Sequence, residues 1–287
     1  MNSQFKFYYK LTKPGIVYAN TLTAVAGYLF VSKLKIDLMP FLGLIFGTAC
    51  LIASACVFNN VLDISIDRKM SRTATRGLVS GKINKKSAIY FLTVLLIVSS
   101  GTLLSLTNLK TFIVGIIAYV FYVFIYGYFK RHSVFGTLVG TIPGSASIIA
   151  GGVCVNDNLS WSLVLLGLIM VVWQMAHFYA IAIYRLSDYI DANLPVWPVV
   201  KGVKNTSRQI ILFIILFLVL NLLILIVDKF SVVYLIVMMV ISSWWLLYSL
   251  ISKSKLDITH WAKKVFINSL IVNVVFIIMV SFFNVLP

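Results

Sequence analysis

The stretch Asn59-Asn60-Val61-Leu62-Asp63-Ile64-Ser65-Ile66-Asp67-Arg68-Lys69-Met70-Ser71-Arg72 closes an apolar run that begins near Leu38. Asn59, Asp63 and Asp67 recur every four residues, so on a helix they line one face with only a slow drift. Two carboxylates and an amide on one face offer the hard oxygen ligands that suit Mg²⁺. Arg68, Lys69, Arg72 and Arg76 follow at once and suit a polyanion. Acids able to hold a metal, beside cations able to hold phosphate, are what a diphosphate–metal site needs. A plainer reading has the acids end a helix and pair with local arginines, as acids near membrane interfaces commonly do. Three coordinating side chains in phase favour the metal.

The rest of the chain has the character of the run before that stretch. It has 287 residues, 61% hydrophobic and 11% charged, with a mean hydropathy of +1.00. That excludes a soluble domain and predicts an all-α, polytopic membrane protein. There is no Glu, and the acids are Asp37, Asp63, Asp67, Asp157, Asp188, Asp191, Asp228 and Asp257. The net charge of +16 comes from cations flanking apolar spans. They therefore report membrane orientation and no nucleic-acid partner. Cys50, Cys56 and Cys154 fall within apolar runs without metal-ligand spacing and read as small buried hydrophobes. Ala24-Val25-Ala26 mimics a signal-cleavage site, but Asn20, Thr21 and Thr23 interrupt the run before it, so an uncleaved first span is expected.

Nine apolar spans are predicted, at about 16–32, 38–60, 87–107, 111–129, 136–155, 160–184, 209–227, 230–251 and 265–286. They make one nine-helix bundle, a single domain over residues 1–287. With a cytoplasmic N-terminus, twenty of the 24 Lys and Arg lie on that side, leaving Lys33, Lys35, Lys110 and Lys229 outside. The positive-inside rule then puts the C-terminus outside and the acidic motif on the cytoplasmic face. Only residues 61–86 and 185–208 form long connections. Gly43 and Gly47, and then Gly136, Gly140 and Gly144, read as close helix packing. Pro143 is expected to kink or break its helix.

Span six ends as span two does, with Arg185, Asp188 and Asp191 on the same side, so a duplicated four-helix unit is plausible by position. Facing spans two and six would supply metal-bridged diphosphate with ligands from two sides. His177 lies eleven residues before Asp188, about three turns into span six. Span four carries Tyr119, Tyr122 and Tyr126 with Lys130 following. These rings are either interfacial anchors or the wall of a cavity from which Lys130 and Arg131 reach a phosphate.

Asn59-x3-Asp63-x3-Asp67 resembles the first aspartate motif of the UbiA-type intramembrane prenyltransferases. Further stretches resemble the heme-modifying, farnesyl-transferring branch of that family. They are Thr12-Lys13-Pro14-Gly15, Lys130-Arg131-His132-Ser133, Arg185-x2-Asp188-Tyr189-x2-Ala192, Pro195-x2-Pro198-Val199-Val200 and Ala262-Lys263-Lys264-x-Phe266-x2-Asn268-Ser269. Many members carry an acid three residues before the one matching Asp188. Here that position is Arg185, and Asp191 matches no clear family ligand.

The resemblance implies a bacterial inner or plasma membrane enzyme whose cavity opens toward the cytoplasmic leaflet. It implies farnesyl diphosphate and heme b as substrates and Mg²⁺ as cofactor. A heme A-forming enzyme or a terminal oxidase assembly is the implied downstream partner. Asn59, Asp63, Asp67 and Asp188 are the implied metal ligands. Arg68, Lys69, Arg72, Lys130, Arg131 and Arg185 are the diphosphate-binding candidates, with Arg72, Lys130 and Arg185 ranked first. Tyr122 and Tyr126 are candidates to stabilise carbocations, and His177 and His132 are heme-contact candidates. Two alternatives stay open: a quinone-pathway aromatic prenyltransferase, and, from another class, a secondary transporter.

Overall fold

A computed structural model describes residues 3–156, 158–227 and 230–282. Asp157, Asp228, Lys229 and the end of the ninth predicted span lie outside the described residues. Among the described residues there are helices and no strands, and nine helices are long and apolar enough to cross a membrane. They are α1 (Pro14–Ser32), α2 (Leu38–Leu62), α3 (Lys85–Leu106), α4 (Leu109–His132), α5 (Gly136–Val155), α6 (Trp161–Tyr184), α7 (Val203–Val227), α8 (Val232–Lys253) and α9 (Ile258–Phe282). The protein is a polytopic membrane protein.

Local chemistry sets the starts of these helices. Pro14 opens α1, where its missing N–H costs nothing. Asn84, Asn108, Ser160 and Ser231 cap α3, α4, α6 and α8, each accepting a bond from a backbone N–H of the first turn. Asn108 also donates to Val153 O at 2.8 Å and so ties the start of α4 to the end of α5.

Helices α7 and α9 begin several residues before the predicted spans. Their first two turns carry Lys204 and Arg208, and Lys263 and Lys264. A hydropathy reading stops where apolar residues stop, whereas helical hydrogen bonding runs on into the polar face. The long connections also hold short helices, at Ile64–Asp67, Leu186–Asp191 and Trp197–Lys201.

The helices pack as α2 on α3, α1 on α5, and α6 on α5, α7 and α9. Small residues permit the close approaches, as expected where lipid supplies no hydrophobic drive between helices. Gly43 and Gly47 lie against Leu106 and Leu103 of α3. Gly140 lies against the Tyr126 ring and Gly144 against Gln174. The tightest crossing is α1 on α5, where Gly27 meets the Ile148 carbonyl and Gly151 the Ala24 carbonyl. Pro143 does not break α5, which runs unbroken from Gly136 to Val155. Two buried indoles keep their polar edge bonded: Trp173 Nε1 donates to Ser269 O at 2.8 Å, and Trp261 Nε1 to Ser249 O at 2.9 Å.

Candidate active site

The polar cluster begins where α2 ends. Asp63 takes a non-helical backbone conformation (φ −92°, ψ 9°) and the short helix Ile64–Asp67 starts directly after it. The break preserves phase, because Asp63 N bonds Asn59 O at 2.9 Å and Asp67 N bonds Asp63 O at 2.8 Å. Asn59, Asp63 and Asp67 therefore stay on one face. They are 3%, 2% and 4% exposed, so the amide and the two carboxylates need partners.

Each of the three side chains is met by a cation through at least one oxygen. Lys130 Nζ donates to Asp63 Oδ2 at 2.6 Å and Arg131 Nη2 to Asp63 Oδ1 at 3.0 Å. Arg76 Nη1 donates to Asp67 Oδ2 at 2.6 Å and to Asn60 Oδ1 at 3.1 Å. Lys13 Nζ donates to Asn59 Oδ1 at 2.7 Å. Burial pushes the Asp63 carboxyl up, but Lys130 and Arg131 outweigh it and hold it below its ordinary value. Burial lowers the Lys13 ammonium to about 8, and Arg76 and Lys130 nearby act in the same direction.

The second half meets this cluster through backbone as well as side chain. Ser71 donates to Asp188 Oδ1 from its amide at 3.1 Å and from its hydroxyl at 2.9 Å. Ile66 and Met70 pack on Ala192 and Leu194, with Tyr189 and Val196 beside them. Tyr189 lies close enough to Lys130 and Arg72 to feel their charges. The two acid-bearing connections are thus joined, as the facing arrangement of spans two and six requires.

Beneath the cluster lies a cavity of about 560 Å³, walled by α1, α2, α4, α5, α6 and α9. Its lining includes Cys56, Tyr119, Tyr122, Trp173, His177 and Phe266. The Tyr122 and Tyr126 rings stack at 5.7 Å between centroids. A π-helical turn at Phe121–Ile125 interrupts α4 there, and such turns recur at functional sites.

The remaining sequence-named residues sit farther out. Arg68, Lys69, Arg72 and Asp191 are exposed. Arg185 lies over the Tyr184 ring at 4.4 Å. His132 is exposed, bonds Tyr128 O through Nδ1 at 2.8 Å and does not line the cavity. Sequence reasoning gave no site role to Lys13, Asn60, Ser71 or Tyr189. It read Arg76 as suited to a polyanion, whereas the structure makes it the counter-ion of Asp67.

The donor set fits Mg²⁺. Among the described residues no three His, Cys, Asp or Glu form a ready-made metal cage. Mg²⁺ does not need one, since it keeps several waters and is held by one or two carboxylates together with substrate phosphates. Asn59 Nδ2 is buried without a partner, so its amide is held only through the oxygen that a metal would take.

Comparison with known proteins identifies the family. The profile of the UbiA prenyltransferase family matches residues 20–270, and the chain belongs to that family. It is 38% identical to a protoheme IX farnesyltransferase of Pectobacterium carotovorum subsp. carotovorum, over 98% of this chain and 96% of that protein. It is 40% identical to a protein of the same name from Sodalis glossinidius, over 93% and 90%. Among solved structures, a digeranylgeranylglyceryl phosphate synthase aligns with a TM-score of 0.79 at 21% identity, covering 98% of this chain and 99% of that one. A UbiA homologue from Archaeoglobus fulgidus bound to DMAPP and Mg²⁺ aligns at 0.74 and 17% identity, covering 96% and 98%. These two show a common fold.

Proposed function

We propose that the protein transfers a farnesyl group from farnesyl diphosphate to a vinyl group of heme b, with addition of water, giving heme O and diphosphate. The observation that carries this reading is the Ser71–Asp188 junction, which joins the acids of both halves over one apolar cavity. The near full-length identity to protoheme IX farnesyltransferases supports heme b over the aromatic acceptors of quinone pathways. The clustering of the acids at helix ends speaks against a transporter site, which would lie near the midplane.

Asn59, Asp63 and Asp67, with Asp188 opposite, would hold Mg²⁺. When bound, the metal would screen the charge that develops on diphosphate. Lys130 and Arg131, released from Asp63, would bond phosphate oxygens, with Arg72 and Arg185 at the mouth and Arg68 and Lys69 beyond them. The allylic C–O bond breaks with its electron pair going to diphosphate. The vinyl π pair then forms the new C–C bond to the farnesyl carbon. Water adds to the remaining heme-side cation and loses a proton. The stacked Tyr122 and Tyr126 rings would steady these cations through their faces. The apolar walls would keep water from the farnesyl cation until the C–C bond has formed.

The charge asymmetry supports a cytoplasmic N-terminus and active site, and the whole chain acting as one domain. A heme A-forming enzyme or terminal oxidase assembly would consume the product. The test is purified protein with heme b, farnesyl diphosphate and Mg²⁺, read by mass spectrometry. Heme O should form only with all three present. Farnesylation of an aromatic acid instead, or no product, would overturn the assignment.

A further inference from the structure

His177 on α6 is the one histidine in the cavity lining, and its side chain is 8% exposed. Trp173 stacks on one side of the ring (4.9 Å, 26° between planes), and Phe266 stands 5.0 Å away, tilted at 47°. The ring plane is therefore fixed by packing. Its Nδ1 edge is held by hydrogen bonding. Nδ1 lies 2.7 Å from the Ser269 hydroxyl, and that hydroxyl donates to Phe266 O at 2.6 Å. A serine hydroxyl has one hydrogen. With that hydrogen on the carbonyl, Ser269 can only accept from His177. In that arrangement the hydrogen sits on Nδ1 and Nε2 carries a bare lone pair. Among the described residues no group bonds to Nε2.

An oriented imidazole whose far N–H is bonded to a fixed oxygen is the arrangement that tunes a histidine for metal ligation. No carboxylate lines the cavity around it, so the matching ligand is a metal carried in by an apolar molecule and not a hydrated ion. We propose that His177 Nε2 is the axial ligand of the acceptor's iron, with Ser269 and the Phe266 carbonyl as its orienting relay. This rests on heme b being the acceptor.

The test uses the purified full chain with heme b and no farnesyl diphosphate, followed by absorption titration and resonance Raman spectroscopy. Ferrous heme on the wild-type protein should show an iron–histidine band that shifts on ¹⁵N-histidine labelling. His177→Ala should remove the band, and added imidazole should restore an imidazole-ligated spectrum. His132→Ala and His260→Ala should leave the band unchanged. Ser269→Ala should keep the band but move it, and weaken heme binding by about 10- to 100-fold, the usual cost of losing an orienting partner. A wild-type spectrum without histidine ligation overturns the proposal, even if no variant folds. So does His177→Ala with an unchanged spectrum. Lost turnover with an unchanged spectrum would instead make His177 the acceptor of the proton from the added water. Absence of heme O from wild-type protein that does show the band would sink the proposed reaction and leave the ligation standing.

Discussion

Magnesium titrated into the protein in lipid nanodiscs should bind weakly alone and much more tightly beside inorganic diphosphate. The reason lies in what the metal must displace. Lys130 holds Asp63 at 2.6 Å with side chains 16% and 3% exposed, and Arg76 holds Asp67 at 2.6 Å with 26% and 6%. Arg131, with its side chain 36% exposed, is discounted for solvent screening. Taking about 1.5 kcal/mol, the low end for a charged hydrogen bond, for each of the two buried contacts gives about 3 kcal/mol. That is on the order of a hundredfold in affinity. Diphosphate removes the penalty by taking up the released cations, and by linkage Mg²⁺ should tighten diphosphate by the same factor.

Calorimetry reads both directions once the Mg²⁺–diphosphate complex formed in solution is subtracted. Direct metal–phosphate bonds would also produce coupling, so Lys130→Met is the discriminating arm. Without its competitor, Mg²⁺ alone should bind about tenfold more tightly, one contact's share of the penalty. The coupling to diphosphate should shrink. An unchanged Mg²⁺ affinity in Lys130→Met would refute the exchange of cations between acid and phosphate.

Other substitutions separate chemistry from folding. Asp188→Asn keeps an oxygen for both Ser71 bonds, so the protein should elute and melt as wild type while heme O formation is lost. Asp67→Asn should also abolish heme O, because it removes a proposed metal ligand and the counter-ion of Arg76 together. Tyr122→Phe should retain most turnover and Tyr122→Leu should not; losing a cation–π contact of about 0.5–2 kcal/mol slows turnover by roughly 2- to 30-fold. Gly151→Leu should push α1 from α5 and destabilise by about 1–3 kcal/mol in thermal melts. Gly101→Ala, inside α3 with open space around it, should instead stabilise slightly, by about 0.5–1 kcal/mol, in the same measurement.

The sequence carried the membrane architecture because nine spans of roughly bilayer length leave few other packings. It also carried the acids, since a four-residue period keeps its face even across the break at Asp63. What it could not carry was pairing over long separations. Lys13 meets Asn59 across 46 positions and Ser71 meets Asp188 across 117. No local pattern distinguishes those residues from their neighbours. The π turn was hidden for another reason: Phe121–Ile125 contains no Gly or Pro to mark it.

The ion pairs of Asp63 and Asp67 also account for a basic excess at the site that phosphate binding alone does not require. A buried carboxylate without a partner is costly. Acids awaiting a metal therefore need internal counter-ions until it arrives. Lys130, Arg131 and Arg76 fill that role within reach of where the diphosphate would lie. One set of cations can then stabilise the empty site and bind the loaded one. If so, neutralising a cation should cost stability without ligand and affinity with it, whereas a purely phosphate-binding cation such as exposed Arg72 should cost affinity alone. Comparing Arg76→Met with Arg72→Met in melts and in diphosphate titrations would decide the point. Equal loss of stability from both would refute the dual role.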